Sequence, residues 1–344
     1  METLPTELYD HILTFFPIRD FLRFRLISTF YESSQSYDGT IRTDLPKHPR
    51  WKRMFPKANC VLHASPVHEA HFNDYIHLEK LTLNHIPILQ ETAFAQLPDL
   101  HILEVWSSHW DHYRARVQHV TTPMFRHLSK LHTLKLFSNF DITDEALSYL
   151  PQLKRLLLDH CKEITSKGIQ YLKQLVDLHL YSQPRITNEA FEGLPIQTLY
   201  VNQNALVTDQ GILSLRHLQK LTTFKTPHIR GNGFQTLPQL TAVYLNGVTI
   251  TSDYSDFKHV RSLILNHCTL PNDDYEKWKS LRTLQIYNAF MAYPTALFKV
   301  SLAPHLSHFT IEHCPCMVPY EAMLKKYFGE KLLCKHLKDL HPMY

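Results

Sequence analysis

The sequence predicts an α/β protein in which a small all-helical N-terminal domain precedes a repeat solenoid, a curved parallel sheet with short helices on its convex side. Three observations lead there. Apolar residues return about every 22 residues from Leu78 to Cys314, the first forty residues carry helical spacing instead, and short phrases opening on threonine alternate with the apolar ones. At 344 residues the chain could hold two or three ordinary domains, but an elongated array uses that length as one structural unit with a small domain in front.

The first element is residues 4–31, LPTELYDHILTFFPIRDFLRFRLISTFY. Pro5 suits the first turn of a helix, where its missing N–H would be unpaired anyway, and Leu8, Ile12, Leu13 and Phe16 recur with helical spacing. Pro17 stops that helix. A second begins near Asp20, and Phe21, Leu22, Phe24, Leu26, Ile27, Phe30 and Tyr31 put apolar groups around most of its circumference. About thirty residues cannot bury that much apolar surface alone, so the remainder asks for a partner. The LP-x-EL opening and the DFLRFRLIS phrase closely resemble the F-box, assigned here to residues 1–40. The resemblance implies a Skp-type adaptor as partner and, through it, the cullin and RING subunits of a ubiquitin ligase. Carried over residue by residue, the adaptor contacts are Leu4, Pro5, Leu8, Ile12, Phe16, Pro17, Leu22 and Ile27. Two positions depart from the F-box pattern: Phe16 replaces the leucine that usually ends the first helix, and Tyr31 the late tryptophan. Both keep bulk and apolarity. The competing reading is a helical hairpin that caps the solenoid.

Residues 41–77 form a connector and N-terminal cap. Arg42, Lys47, Arg50, Lys52, Arg53 and Lys57 make it basic, which a solvated connector explains, and Trp51 and Phe55 resemble the tryptophan-containing segment that often follows an F-box. A net charge of +4 with both signs spread through the chain argues against nucleic acid as a partner.

The solenoid spans residues 78–314. The pattern L-x-x-L-x-L-x-x-(N or C) places the first apolar position of eleven units at Leu78, Leu100, Leu131, Leu153, Leu175, Ile196, Leu218, Leu240, Val260, Leu281 and Leu306. That spacing is a leucine-rich-repeat period. Each unit supplies a short strand with alternate residues in the core. In the following phrases Thr143, Thr165, Thr187 and Thr208 are placed to cap a short helix or helical turn. Cys161, Cys268 and Cys314 fall on the Asn-or-Cys position, where a small buried side chain closes the turn. Residues 315–344, with EAMLKKYFGEKLLCKHLKDL, read as one or two amphipathic helices that cap the far end.

Other chemistry is thinly represented. Cys314, Cys316, Cys334 and His336 match no common zinc spacing. His85, His160, His267 and His313 share one place in four units, but the units are not consecutive, so hydrogen bonding within each turn suits them better than a shared ion. There is no P-loop, HExxH or GxSxG, and the thirty-odd residues after the repeats are too few for a domain that carries ubiquitin on a cysteine. No cofactor and no metal is expected, and any enzyme activity comes from partners. The N-terminus reads as neither a signal peptide nor a membrane span, so no membrane partner is expected. The expected address is cytoplasmic or nuclear, or a host cytosol if the chain is delivered there.

Substrate choice then falls to the concave face. Its outward positions include Trp106, Phe137, Tyr181, Tyr200, Phe224, Tyr244 and Tyr287, far more aromatic residues than the chain average of 12% supplies. Glu104, Lys135, Asp159 and His179 add polar selection, and an insert in the second unit, WSSHWDHYRARVQHV, brings Trp110 beside Trp106. Together the features resemble an F-box protein of the leucine-rich-repeat subclass. That implies the substrate-recognition subunit of an SCF (Skp–cullin–F-box) ubiquitin ligase that binds a protein target for ubiquitination. A scaffold or inhibitor without a ligase role is the alternative from another class. A metal- or RNA-binding solenoid is a third, resting only on the histidines and the basic connector.

Overall fold

The computed structural model describes residues 79–84, 89–106, 120–251, 254–270, 275–329 and 332–335, together with two earlier strands, β1 (Thr40–Thr43) and β2 (Asn59–Leu62). These two pair in parallel with Thr40 opposite Asn59, so the stretch read as connector contributes strands of its own. The chain forms two compact units, Met1–Leu153 and Lys154–Tyr344.

In the first unit β3 (Lys80–Asn84), β4 (Ile102–Trp106) and β5 (Thr133–Phe137) pair in parallel, with Leu81, Leu103 and Leu134 in register. The second unit continues the same grammar through β6 (Arg155–Asp159), β7 (Asp177–Tyr181), β8 (Thr198–Asn202), β9 (Lys220–Phe224), β10 (Ala242–Asn246) and β11 (Ser262–Asn266). The main sheet goes on through β13 (Thr283–Tyr287) and β15 (His308–Glu312), and the short strands β12 (Thr269–Leu270) and β14 (Phe290–Met291), which follow β11 and β13 in the chain, pair with each other. Along each main strand the burial alternates: in β7, Leu178 and Leu180 are buried while Asp177, His179 and Tyr181 face outward. A one-residue slip would turn a whole apolar column into water, which is why the register holds from repeat to repeat.

After β5 to β11, β13 and β15 the chain turns sharply. Ser138, His160, Ser182, Gln203, Lys225, His267, Asn288 and His313 all take φ between 49° and 56°, and Gly247 takes 73° at the same place. His160, His267 and His313 of the histidine column are therefore left-handed backbone positions, a conformation that histidine and asparagine tolerate better than most side chains, and His85 lies outside the described residues. The next residue is buried in every case, and at Asn139, Cys161, Gln183, Cys268 and Cys314 its side chain meets strand carbonyls, whereas Val248 and Ala289 only fill the space. Asn139 Nδ2 donates to the Val105 and Phe137 carbonyls at 3.3 and 3.0 Å, and the Cys268 thiol to those of Leu245 and Asn266 at 3.4 and 3.3 Å. Cys161 and Cys314 occupy the same position, both buried, each with its thiol on a strand carbonyl. Asparagine and cysteine thus do the same work with different donors.

The return segments are short helices: α1 (Asp144–Ser148), α2 (Ser166–Gln170), α3 (Asp209–Leu213) and several 3₁₀ turns. The expected threonine caps are realised at two of four positions. Thr165 accepts from the Lys167 N–H at 3.2 Å and Thr208 from the Gln210 N–H at 3.3 Å, whereas the Thr143 and Thr187 hydroxyls meet the Thr122 and Ser166 hydroxyls of the preceding repeat. The preceding repeat also supplies acceptors for the threonine N–H groups. Thr122 takes that of Thr143 at 2.9 Å, Ser166 that of Thr187 at 2.8 Å, and Asn188 that of Thr208 at 2.9 Å. Lateral ties between repeats thus replace local caps. The tie ends on Asp209, whose carboxylate accepts from the Arg230 and Gly231 N–H groups at 2.9 Å each and from Asn232 at 3.2 Å. Burial pushes this carboxyl above its ordinary value, against the hydrogen bonds that pull it down.

The core on the helical side is aromatic where the sequence allows. Phe94 meets Phe125 edge-on in the first unit, and Phe257 meets both Phe234 and Trp278 edge-on in the second.

The C-terminal segment departs from the helical reading. A 3₁₀ turn at Pro315–Tyr320 and helix α4 (Glu321–Phe328) cover the last repeat, with Phe328 stacked near Phe309, but Leu332–Lys335 is a strand, β16. It pairs with β15 from Phe309↔Leu332 to Glu312↔Lys335. An open strand edge offers a row of unpaired N–H and C=O groups, and a further strand satisfies them where a helix could not. Among the described residues, no helix is long and apolar enough to cross a membrane.

Two substitutions test this account. His267, exposed at φ 51°, tolerates glycine with little change in stability, whereas His267→Val costs about 1–2 kcal/mol through left-handed strain, measured by urea denaturation. Asp209→Ala strips an acceptor from three backbone N–H groups and lowers stability by roughly 2–4 kcal/mol in the same assay.

Candidate functional site

The alternation that buries the leucines presents the first, third and fifth residue of each strand on an open face of the sheet. In the second unit this face carries the tyrosines. The Tyr181 and Tyr200 rings stack at 4.6 Å between centroids, and Tyr200 stacks again on the His179 ring at 5.6 Å. His179 Nε2 is 2.9 Å from Asp177 Oδ1, so the imidazole is held in plane beside the phenol. Asp159 stands opposite Tyr181 in register and is itself bonded to the His160 ring. Burial, the Tyr200 phenol with its hydrogen bond, and the Asp159 carboxylate push the Tyr181 hydroxyl up to about 12. It therefore remains an O–H donor throughout the physiological range.

Further along, Tyr244 organises a polar network. Its hydroxyl lies 3.3 Å from Asn246 Nδ2 and 3.2 Å from Asn266 Nδ2, and Asn288 Nδ2 donates to Asn266 Oδ1 at 3.1 Å. Two amides donating to one phenol oxygen leave the phenol proton to point elsewhere. Tyr287 lies next to Glu312 in register, and burial followed by the Glu312 carboxylate raises its hydroxyl above the ordinary value. Phe224 lies under the Lys225 ammonium, 5.5 Å from the ring centroid. All five of these aromatic side chains are half-buried, standing on a rigid sheet with part of each ring open to solvent.

The first unit presents Trp106 and Phe137, whose rings stack on each other at 3.6 Å between centroids. Glu104 beside them sits between Lys135 at 2.8 Å and Lys80 at 3.7 Å. Of the residues expected to contact a target, the structure thus joins Trp106 with Phe137 and Tyr181 with Tyr200, and sets Phe224, Tyr244 and Tyr287 on later strands of the second unit. Trp110 lies outside the described residues, as do the adaptor residues Leu4, Pro5, Leu8, Ile12, Phe16, Pro17, Leu22 and Ile27.

Sequence reasoning passed over Asn246, Asn266 and Asn288. The signal was there: asparagine recurs at the last strand position of two consecutive repeats, Asn246 and Asn266, and at the turn position just after the next strand, Asn288. It also passed over Glu312. The chemistry assembled here is that of recognition, made of aromatic faces, amides, phenolic donors and carboxylates. The buried Cys268 thiol is pushed up by desolvation and stays protonated, which suits a packed group better than a nucleophile. Among the described residues, no group of three or more His, Cys, Asp or Glu is placed to hold a metal ion.

No family model and no curated protein sequence matches the chain. Solved structures do. A leucine-rich-repeat protein of Leptospira interrogans superposes with a TM-score of 0.57 at 18% identity, covering 83% of this chain and 80% of that one. The fold is that of the leucine-rich-repeat proteins. An internalin of Listeria monocytogenes gives a TM-score of 0.52 at 15% identity, covering 83% of this chain and 79% of its own. The LRIM1/APL1C complex gives 0.50 at 14% identity, over 84% of this chain and 62% of that chain. At these identities the likeness is one of leucine-rich-repeat architecture, the parallel sheet and short return helices described above.

Tyr244→Phe isolates the polar network from the ring. It removes the acceptor shared by Asn246 and Asn266, and with Asn246 only 3% exposed the loss lowers stability by about 1–2 kcal/mol in chemical denaturation.

Proposed function

We propose that the open face of this leucine-rich-repeat array binds a protein target, and that the chain is the substrate-recognition subunit of an SCF-type ubiquitin ligase. The first part rests on the row of half-buried aromatics, with the stacked Tyr181–Tyr200 pair as its firmest member. Tyrosine supplies large, stiff contact area at small entropic cost and dominates interface hot spots, and the flanking amides and carboxylates favour a polar peptide over a greasy small molecule. Trp110 and its insert are a second contact region, adjacent in sequence to Trp106. The second part rests on the sequence of residues 4–31, whose LP-x-EL opening and helical apolar spacing resemble the F-box apart from Phe16 and Tyr31.

In this reading the protein performs no chemistry. Its F-box docks the Skp-type adaptor through Leu4, Pro5, Leu8, Ile12, Phe16, Pro17, Leu22 and Ile27, and the cullin and RING subunits bring a charged ubiquitin-conjugating enzyme to the target. The contribution is proximity, since tethering turns an encounter between macromolecules into a local transfer. The address is cytoplasmic or nuclear. A second reading, a protein-binding scaffold or inhibitor with no ligase role, is favoured by the departures at Phe16 and Tyr31.

Co-purification separates the two. The full chain forms a stable one-to-one complex with a eukaryotic Skp-type adaptor, and the variant Leu4→Ala, Pro5→Ala, Leu8→Ala loses it; no complex with either chain leaves the scaffold reading. The triple variant Tyr181→Ala, Tyr200→Ala, Tyr244→Ala abolishes target capture and keeps adaptor binding, whereas joint loss means that the array has unfolded.

A further inference from the structure

The second unit's open face is uneven in charge, and the unevenness names a ligand. From β6 to β15 the third and fifth residues of the main-sheet strands include Asp159 and Glu312 but no lysine or arginine, and the cations Arg155 and Lys220 stand at first positions, at the strands' entry edge. At the β15 end Lys335 stands opposite Glu312 in register. At the β6 end the carboxylates and the aromatic rings come together. Tyr200 covers one face of the Tyr181 ring, and on the other side of Tyr181 lies β6, whose residue in register is Asp159. Asp177 flanks the same cluster through His179, and Arg155, 71% exposed at its side chain, reaches Asp177 at 3.9 Å.

We propose that the Asp159–Tyr181–Tyr200 cluster is the specificity pocket for an arginine side chain of the bound target. A guanidinium is flat, always charged and weakly hydrated. It can lie on the free face of a tyrosine ring while its N–H fork reaches a carboxylate, which a compact, strongly hydrated ammonium does less well. The geometry provides both halves: a ring held rigid by stacking on Tyr200, and one strand away the Asp159 carboxylate, whose Oδ1 meets the His160 ring and whose Oδ2 is the oxygen offered to the guanidinium. A cation over an aromatic ring already occurs on this face, where Lys225 lies over Phe224. That same ammonium repels a second cation in the middle of the sheet and leaves the β6–β8 end as the place for one. The inference rests on the protein-binding reading of the face and adds the chemistry of its partner.

The test pans a random twelve-residue peptide display library against the full chain, Asp159→Asn, Tyr181→Leu and the triple tyrosine variant, each checked for a cooperative thermal transition well above the panning temperature. Peptides retained by the wild type are enriched at least threefold in arginine over the input library. Asp159→Asn and Tyr181→Leu each bring arginine back to its input frequency, and replacing the selected arginine by lysine weakens binding several-fold. A retained pool without arginine, or one whose arginine survives Asp159→Asn, overturns the pocket while leaving the face as a binding surface. Retention by the triple tyrosine variant equal to the wild type, or no retention by any chain, overturns the protein-binding reading and the pocket with it.

Discussion

Everything in this molecule depends on closing the backbone turn that follows each strand. A parallel array must reverse direction within a few residues at every repeat, and the turn leaves strand carbonyls without partners in a place closed to water. An unpaired buried carbonyl costs more than a typical hydrogen bond stabilises, so a buried side-chain donor strengthens the turn wherever one stands there. Asn139 provides it with an amide and Cys161, Cys268 and Cys314 with thiols. The residue just after the strand enters the left-handed region, whether it is serine, glutamine, lysine, asparagine, histidine or glycine. Repetition of that strained step, also where Ala289 or Val248 follows, shows that closing the turn outweighs the local backbone preference, which is of order 1–2 kcal/mol per residue.

Once the turns are closed the strands fall into register, and register decides what the open face can display. Core positions are leucine, isoleucine or valine almost throughout, so selection on the outward positions is free of packing constraints. Tyr181 and Tyr200 can therefore stack, and Tyr244 can gather two asparagines, without disturbing the leucines beneath them. The lateral ties on the helical side work to the same end. A threonine N–H that donates to the preceding repeat links the position of one repeat to the next, which keeps the spacing of the aromatic row uniform.

Where sequence reasoning succeeded and where it fell short follow one physical division. The strands, their apolar columns and the buried cysteines were legible because each is set by a local pattern with a fixed period. The threonine caps were half right: a capping residue marks where a helix starts, but its hydroxyl bonds within its own turn or across to a neighbour according to what stands about 21 residues earlier. Leu332–Lys335 read as helix because its apolar residues fit an amphipathic stripe, and the open edge of β15 outweighed that local preference. The Tyr244 network and the pairing of Asp159 with Tyr181 join residues about 22 or more positions apart, a relation that no single repeat contains.

By itself, then, the sequence determined the repeat, its period, the buried face and the identity of the side chains offered to solvent, because these depend on alternation and spacing along the chain. It also carries the N-terminal phrase that resembles an F-box. Only the tertiary structure decided which outward side chains touch, which turn residues bear left-handed strain, and how the last edge is closed. Those outcomes depend on registering one repeat against the next, and registration is a property of hydrogen bonds between strands.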